Sequence, residues 1–296
     1  MTSEAGSEAT LRLQAHAKLN LWLHVLAREE SGYHSIETLL QRLRLSDEVT
    51  LTRIPGEIRL EVVGDATVPA DESNLCWQAA EALGRHLPDP GVHIRLEKRI
   101  PAGAGLGGGS ADAAAVLSGL NRLCGYPVGE LELEGIAGEL GSDVPFGLCP
   151  SPVALAWGRG RRLLPIDPTA PRPVLILVPG DPIAAGDAYG WLAEDRAAGL
   201  GSPPGPAILP PPSDLLDGAA RGSIGVNDLE PPVFRRHPEL RRLRDDLAGL
   251  GARHAFLCGS GSCVAGLFDD DSARDAAERA CLEAGGTRTI STHTLG

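Results

Sequence analysis

A chain of 296 residues with 43% hydrophobic and 22% charged residues can bury a sizeable core in two domains, which excludes disorder for most of it. Its 39 acidic against 27 basic residues leave a formal charge of −12, the opposite of a nucleic-acid-binding surface, so an anionic ligand must be held by local groups. No apolar run reaches the roughly 18 residues of a membrane helix, and the start lacks the basic and apolar stretches of a signal peptide. A cytoplasmic location is expected. The six cysteines form no C-x-x-C pair and are expected as buried thiols without zinc.

In chain order, Leu11, Leu13, Ala15, Ala17, Leu19, Leu21, Leu23 and Val25 are apolar and odd-numbered, which predicts a long strand with one buried face. The even face, with Arg12, Gln14, His16, Lys18, Asn20 and His24, reads as solvated; it also sets Lys18 and Asn20 on one side, about 7 Å apart. A Gly-containing connection ends in Tyr33 and His34, a pair that can stack on a base or pack under a loop. Strand-like Ile36 to Leu45 follows. Val49 to Ile54 and Ile58 to Val63 then read as a hairpin about Pro55-Gly56. Ser73-Asn74-Leu75 opens a helix through Leu83.

Val92 to Ile100 predicts a half-buried strand, and beyond it five glycines fall between Gly103 and Gly109. Ala113, Val116, Leu117, Leu120 and Leu123 predict a helix with Ser110 as its N-cap and Asp112 in its first turn. Strand, glycine loop and helix N-terminus form a phosphate-binding arrangement, because side-chain-free backbone N–H groups converge on a helix start. Gly103 to Gly108 fits G-x-G-x-x-G, but the second strand that a dinucleotide domain needs is missing. Nor does the loop end in the Gly-Lys-Ser/Thr of a Walker A sequence, and no protein-kinase signature accompanies it. It is a phosphate loop of another kind.

Leu133, Ile136, Ala137 and Leu140 mark a helix that stops at Gly141. Asp143 follows in a turn ahead of Pro145, and on residues alone it is either a helix cap or a placed carboxylate. Val153 to Trp157 and Arg161 to Ile166 read as paired strands closing a first domain of residues 1–168, with 169–296 as the second. There the pattern gives strand Val174 to Val178, a helix near Asp187 to Asp195, and a proline-rich surface loop over 203–212. A helix from about Pro238 comes next. Strands Arg253 to Cys258 and Cys263 to Phe268 flank Gly259-Ser260-Gly261-Ser262, and a helix to about Glu283 and strand Thr287 to His293 end an α+β order.

Three separated motifs, Ala17-Lys18-Leu19-Asn20-Leu21, Pro101 to Ser110 and Gly259 to Ser262, resemble in order and spacing the three signatures of the GHMP kinases. The resemblance implies a two-domain α+β fold, a ribosomal-protein-S5-like N-terminal domain for ATP and a ferredoxin-like C-terminal domain for substrate, with the active site between them. Gly32-Tyr33-His34, Asn74-Leu75, Gly141 to Phe146 and Asn227-Asp228-Leu229-Glu230 are similar to a branch acting on a cytidine-diphosphate-linked polyol of non-mevalonate isoprenoid synthesis. Mevalonate- and homoserine-type kinases are the alternative.

Carried over by that resemblance, Asp143 is the base facing the substrate hydroxyl and Lys18 its electrostatic partner. Asn20, Tyr33, His34 and Tyr189 hold the substrate. Pro101-Ala102-Gly103-Ala104-Gly105-Leu106-Gly107-Gly108-Gly109-Ser110-Ala111 cradles the ATP phosphates, with Asn74 and Lys98 near the adenosine. The implied cofactors are ATP and Mg²⁺, with metal ligands unassigned; the implied partner is the small molecule, with no nucleic acid or membrane, for a monomer or weak homodimer. Two positions depart from the pattern: Ala185 stands where related kinases carry Ser or Thr, and Ala111 where a second serine is commoner.

Overall fold

The computed structural model describes residues 9–28, 34–89, 91–200 and 224–296; Tyr33 and the proline-rich stretch 203–212 lie outside them. Two compact units result, one containing β1 up to His16, Ser46–Ala102 and Gly108–Leu148, the other Ala17–Leu45, Gly103–Gly107 and Cys149–Gly296.

The predicted long strand is β1 (Thr10–Arg28), and it pairs with β2 (His34–Arg53). From Ala17 to Leu23 both faces of β1 are buried, so its even face is not solvated there: Lys18 is 7%, Asn20 5% and Trp22 2% exposed. β2 is one strand where the residues suggested two. The polar break at Ser46-Asp47 does not end it, because Ser46 Oγ donates to Gln14 and Asp47 receives Lys98.

Within the first unit, β4 (Val92–Glu97) runs antiparallel to the C-terminal half of β2 and parallel to β3 (Ile58–Val63). The expected hairpin between Val49–Ile54 and Ile58–Val63 is therefore not formed, and β4 lies between them. Gly91 lets β4 start hard against the Pro55-Gly56 turn, since a Cβ there would stand 2.0 Å from the Ile54 carbonyl oxygen. Alternation tells which face of a strand is buried but not which strand is its neighbour. β4 also ends at Glu97, short of the expected Ile100, because the Arg99 and Ile100 amides turn to the Asp47 side chain.

Helices α1 (Leu75–Gly84), α2 (Gly108–Leu123), α3 (Glu130–Leu140) and α4 (Val144–Leu148) complete this unit. Val49, Leu51, Leu83, Ile94, Leu96, Val116, Leu117 and Leu120 form its core. Burying a Leu or Ile side chain of this kind is worth about 1.5–3 kcal/mol. Since α2 begins at Gly108, Ser110 lies inside the helix and is not its N-cap, and Asp112 falls beyond the first turn. Gly107, at φ 70°, turns the chain into the helix three residues earlier than a serine cap at Ser110 would.

In the second unit the N-terminal half of β2 pairs with β5 (Val153–Gly158), which pairs with β6 (Arg162–Ile166), both antiparallel. A separate antiparallel sheet has the order β10 (Arg288–His293), β7 (Pro173–Val178), β9 (Val264–Leu267), β8 (His254–Leu257). Helices α5 (Ala185–Ala197), α6 (Glu230–Arg236), α7 (Pro238–Gly249) and α8 (Asp271–Ala284) accompany it. The residues suggested a helix only from Pro238; α6 precedes it because Pro231 and Pro232 sit in its first turn, where N–H groups have no helical partner. Leu175, Leu177, Leu192, Leu229, Val233, Leu240, Leu257 and Val264 form the core. All six cysteines are free thiols, four of them buried. Among the described residues no helix is long and apolar enough to cross a membrane.

Candidate active site

In the second unit the three motifs that are far apart in sequence meet. Lys18 N donates to the Leu106 carbonyl (2.9 Å) and Cys263 N to the Ala104 carbonyl (3.3 Å), so β1 and the segment after the Gly259 turn both hold the glycine loop. Gly103, Gly105 and Gly107 have φ of 65°, 76° and 70°. Their missing side chains are also required by space: a Cβ would stand 1.9 Å from the Cys258 carbonyl oxygen at residue 105 and 2.9 Å from Lys18 Cε at residue 107. Gly259 completes the cluster, its Cβ position being 3.1 Å from the Gly105 carbonyl oxygen, 3.2 Å from Asn20 Oδ1 and 3.3 Å from Lys18 Nζ.

Lys18 and Asn20 point the same way, as the strand period requires. Lys18 Nζ donates to Asn20 Oδ1 (2.7 Å), Asn20 Nδ2 donates to Thr38 Oγ1 (2.8 Å), and that hydroxyl donates to the Trp22 carbonyl (2.6 Å). This relay fixes the orientation of the amide, oxygen towards the ammonium.

Asn227 and Glu230 brace the Gly259 turn from behind. Asn227 Nδ2 donates to the carbonyls of Leu257 (3.1 Å) and Gly259 (2.7 Å), and Glu230 Oε1 accepts Leu257 N (2.7 Å). Sequence reasoning used these residues only as a resemblance marker. Their polar types flanking a buried leucine were the available signal, but nothing local showed which turn they would reach. Burial pushes the Glu230 carboxyl up to about 7. A carboxyl whose folded-state pKa lies above its unfolded value near 4.5 stabilises fully below that value; the contribution is lost as pH rises towards about 7. The loss is on the order of 3 kcal/mol. Glu230→Gln keeps the acceptor and removes the proton. Urea unfolding at pH 5 and pH 8 is therefore expected to show the variant gaining a few kcal/mol relative to the parent at the higher pH; an equal pH dependence would reject this origin.

The structure also brings together His34 and Tyr189, whose rings stack with centroids 5.3 Å apart and planes 23° from parallel. Tyr189 is half-buried on α5, a helix whose N-cap residue, Ala184, provides no side-chain hydrogen bond. Ala185 follows as its first residue, so neither of the two residues at this helix start carries a hydroxyl.

In the first unit, half-buried Asp143 immediately precedes α4. α4 packs closely on α2 through Gly147, where a Cβ would stand 2.2 Å from that of Ala114. As a result the turn bearing Asp143 lies beside the start of α2, with the Cβ position of Gly141 4.0 Å from Ser110 Oγ. Ser110, Ala111 and Asp143 thus share one corner.

Asn74 and Lys98 are placed differently, with their polar atoms engaged inside the protein. Asn74 caps α1 by accepting Cys76 N (2.9 Å) and donates to the Pro69 carbonyl (2.6 Å). Lys98 Nζ donates to Asp47 Oδ2 (2.5 Å) and Asp112 Oδ2 (2.7 Å). Burial pushes the Asp112 carboxyl up despite the ammonium. Burial works against the charge on Lys98, yet the two carboxylates together hold its pKa above the ordinary lysine value.

Comparison with known proteins places this geometry. The family model of the GHMP kinases N terminal domain matches residues 74–150 and that of the GHMP kinases C terminal matches residues 214–286. The 4-diphosphocytidyl-2-C-methyl-D-erythritol kinase of Moorella thermoacetica is 39% identical over 292 residues, covering 96% of this chain and 99% of that relative. A crystal structure of 4-(cytidine 5'-diphospho)-2C-methyl-D-erythritol kinase superposes with a TM-score of 0.79 at 36% identity, over 97% of this chain and 100% of that one. Homoserine kinase from Cytophaga hutchinsonii, at 17% identity and a TM-score of 0.70 over 100% of this chain and 97% of that one, shares the fold.

Proposed function

Because the chain belongs to the GHMP kinases, and within them to the 4-diphosphocytidyl-2-C-methyl-D-erythritol kinases, we propose that it transfers the γ-phosphate of ATP to the 2-hydroxyl of 4-diphosphocytidyl-2-C-methyl-D-erythritol, releasing ADP. The observation that carries the reading is the convergence on the glycine loop of Lys18, at Leu106 and Gly107, and of the Cys258 to Gly261 turn, at Gly105, with Asn20 set against Lys18 and Gly259. Residues Pro101 to Ala111 receive the ATP phosphates, since the positive-φ glycines and the start of α2 supply backbone donors without intervening side chains.

Phosphoryl transfer demands an aligned hydroxyl and stabilisation of the charge spreading over the moving group. Asp143 accepts the hydroxyl proton as the bond to phosphorus forms. Lys18, its stem lying along Gly107, supplies positive charge to the phosphoryl group, and Asn20 orients that ammonium while helping to place substrate. Tyr33, His34 and Tyr189 hold the cytosine by stacking and edge hydrogen bonds. Asn74 and Lys98 belong to the nucleotide side and act through their protein partners. Mg²⁺ bound with the nucleotide would find a hard oxygen ligand in the Ser110 hydroxyl beside the Asp143 turn and would supply neutralisation of the phosphate charge.

Residues 1–168 form the ATP half and 169–296 the substrate half, a division supported by the family models falling on either side of it. The enzyme works in the cytoplasm on isoprenoid precursors, as a monomer or weak homodimer.

An ATP-dependent substrate panel tests the function: phosphate is expected on the cytidyl substrate, and transfer only to mevalonate or homoserine would overturn it. Tyr189→Ala is expected to raise the KM for the cytidyl substrate about tenfold, the loss of one base stack. Steady-state kinetics checks it, and an unchanged KM would remove Tyr189 from the cytosine site.

A further inference from the structure

Asp47, Lys98 and Asp112 form a buried ionic triad that no step of the proposed reaction uses. Lys98 Nζ reaches Asp47 at 2.5 Å and Asp112 at 2.7 Å, and the two carboxylate side chains are almost wholly buried. Each member comes from a different element: Asp47 from β2, Lys98 from the first position past β4, and Asp112 from the fifth residue of α2.

What the triad joins is specific. The other oxygen of Asp47, Oδ1, accepts the amides of Arg99 (2.5 Å) and Ile100 (2.8 Å), which ends the strand and aims the chain into Pro101. On the far side of the glycine loop, Lys98 holds Asp112 and lies under Gly108, whose Cβ position is 3.3 Å from Nζ and 2.9 Å from Ile100 Cγ2. One ammonium thus ties the residues that lead into the loop to those that leave it.

Stability alone does not account for such a device. Two carboxylates share one ammonium beside the fully buried Cys76, and among the described residues Asp112 Oδ1 has no hydrogen-bond partner. A buried ionic group of this kind is often no more stabilising than well-packed apolar residues of similar size, and an unsatisfied buried oxygen is a penalty. What the triad does provide is a fixed distance between the two ends of the loop.

We propose that Asp47, Lys98 and Asp112 are positioning residues that clamp the two ends of the phosphate loop, presetting its backbone donors for the ATP phosphates. The inference rests on the reading of Pro101 to Ala111 as the ATP loop. Preset donors avoid ordering the loop when the nucleotide arrives, so the clamp acts on nucleotide affinity.

The test is binding of a non-hydrolysable ATP analogue by calorimetry, with thermal unfolding recorded on the same samples. The double variant Lys98→Met/Asp112→Leu replaces the ion pair by apolar groups and leaves Asp47 with its two amides. It is expected to fold and to bind the analogue at least about tenfold more weakly, while Asp112→Asn, which keeps an acceptor for Lys98, loses about threefold. A folded double variant that binds within twofold of the parent overturns the clamp, because a merely structural triad would change thermal stability and leave the affinity of the folded protein alone. Should the double variant not fold, Asp112→Asn decides by the same twofold criterion. If the parent itself binds no analogue, the ATP-loop reading fails instead.

Discussion

Replacing Asp143 by asparagine is expected to lower turnover by at least about 10²-fold and to leave ATP affinity nearly unchanged. The amide has the size of the carboxylate but cannot take up the hydroxyl proton. Its turn is held by features the substitution does not touch, the Val144 N to Gly141 carbonyl bond at 3.4 Å and the close packing of Gly147 on Ala114. The loop residues proposed to receive the phosphates are likewise untouched, so binding and chemistry separate. Turnover measured with saturating substrates, beside the Kd for an ATP analogue, provides the check. A variant retaining most of its turnover would take Asp143 out of the base role, and one that lost ATP affinity instead would make it a nucleotide contact.

Gly105→Ala is expected to reduce kcat/KM for ATP by at least about 10²-fold. Two penalties coincide at this residue. Its φ of 76° disfavours any side chain, by about 1–2 kcal/mol. In addition, the new methyl would stand 1.9 Å from the Cys258 carbonyl oxygen and 3.1 Å from that of Gly261. Both obstacles are backbone, so no rotamer change relieves them; overpacking of this kind costs about 1–3 kcal/mol. The loop must leave its seat against the Cys258 to Gly261 turn, and with it the alignment to Lys18. Gly56→Ala separates the two penalties, since Gly56 shares the φ of 76° but has nothing within 4 Å of its Cβ position. That control is expected to lose about 1 kcal/mol of stability with unaltered kinetics. Wild-type kcat/KM in Gly105→Ala would show that the loop does not need its seat.

The elements with a clear period were legible in the residues. The odd-numbered apolar run of β1, the strands on either side of Gly259 to Ser262, and the helix that follows the glycine loop all stand close to where the sequence puts them. Local pattern failed where the outcome depended on a distant partner. The neighbour of β3 was one such case, because Ile58, Leu60 and Val62 present the same face to whichever strand arrives. The continuity of β2 was another: Ser46 and Asp47 look like a break until Gln14 and Lys98 supply their hydrogen bonds.

The site shows the same division. Glycine spacing announced a phosphate loop, but its meaning came from Lys18 and Gly259, which only the fold brings against it, and from Asn20, which is held against both of them. Serine is a good cap, so Ser110 was a reasonable helix start; the helix begins at Gly108 because the preceding positive-φ glycine has already turned the chain. The helix start at Asn74 was legible, but the commitment of Lys98 to two carboxylates was not, since Asp47 lies some fifty residues from it in the chain.

The seat of the glycine loop carries a built-in reporter. Cys258, whose carbonyl faces Gly105, has a wholly buried thiol, and burial drives its pKa well above the ordinary cysteine range. A thiol in that state reacts with an alkylating reagent only when its surroundings open, so its labelling rate counts opening events and not nucleophilicity. The rate at which Cys258 is labelled is therefore a native clock for the opening of the segment that seats the glycine loop.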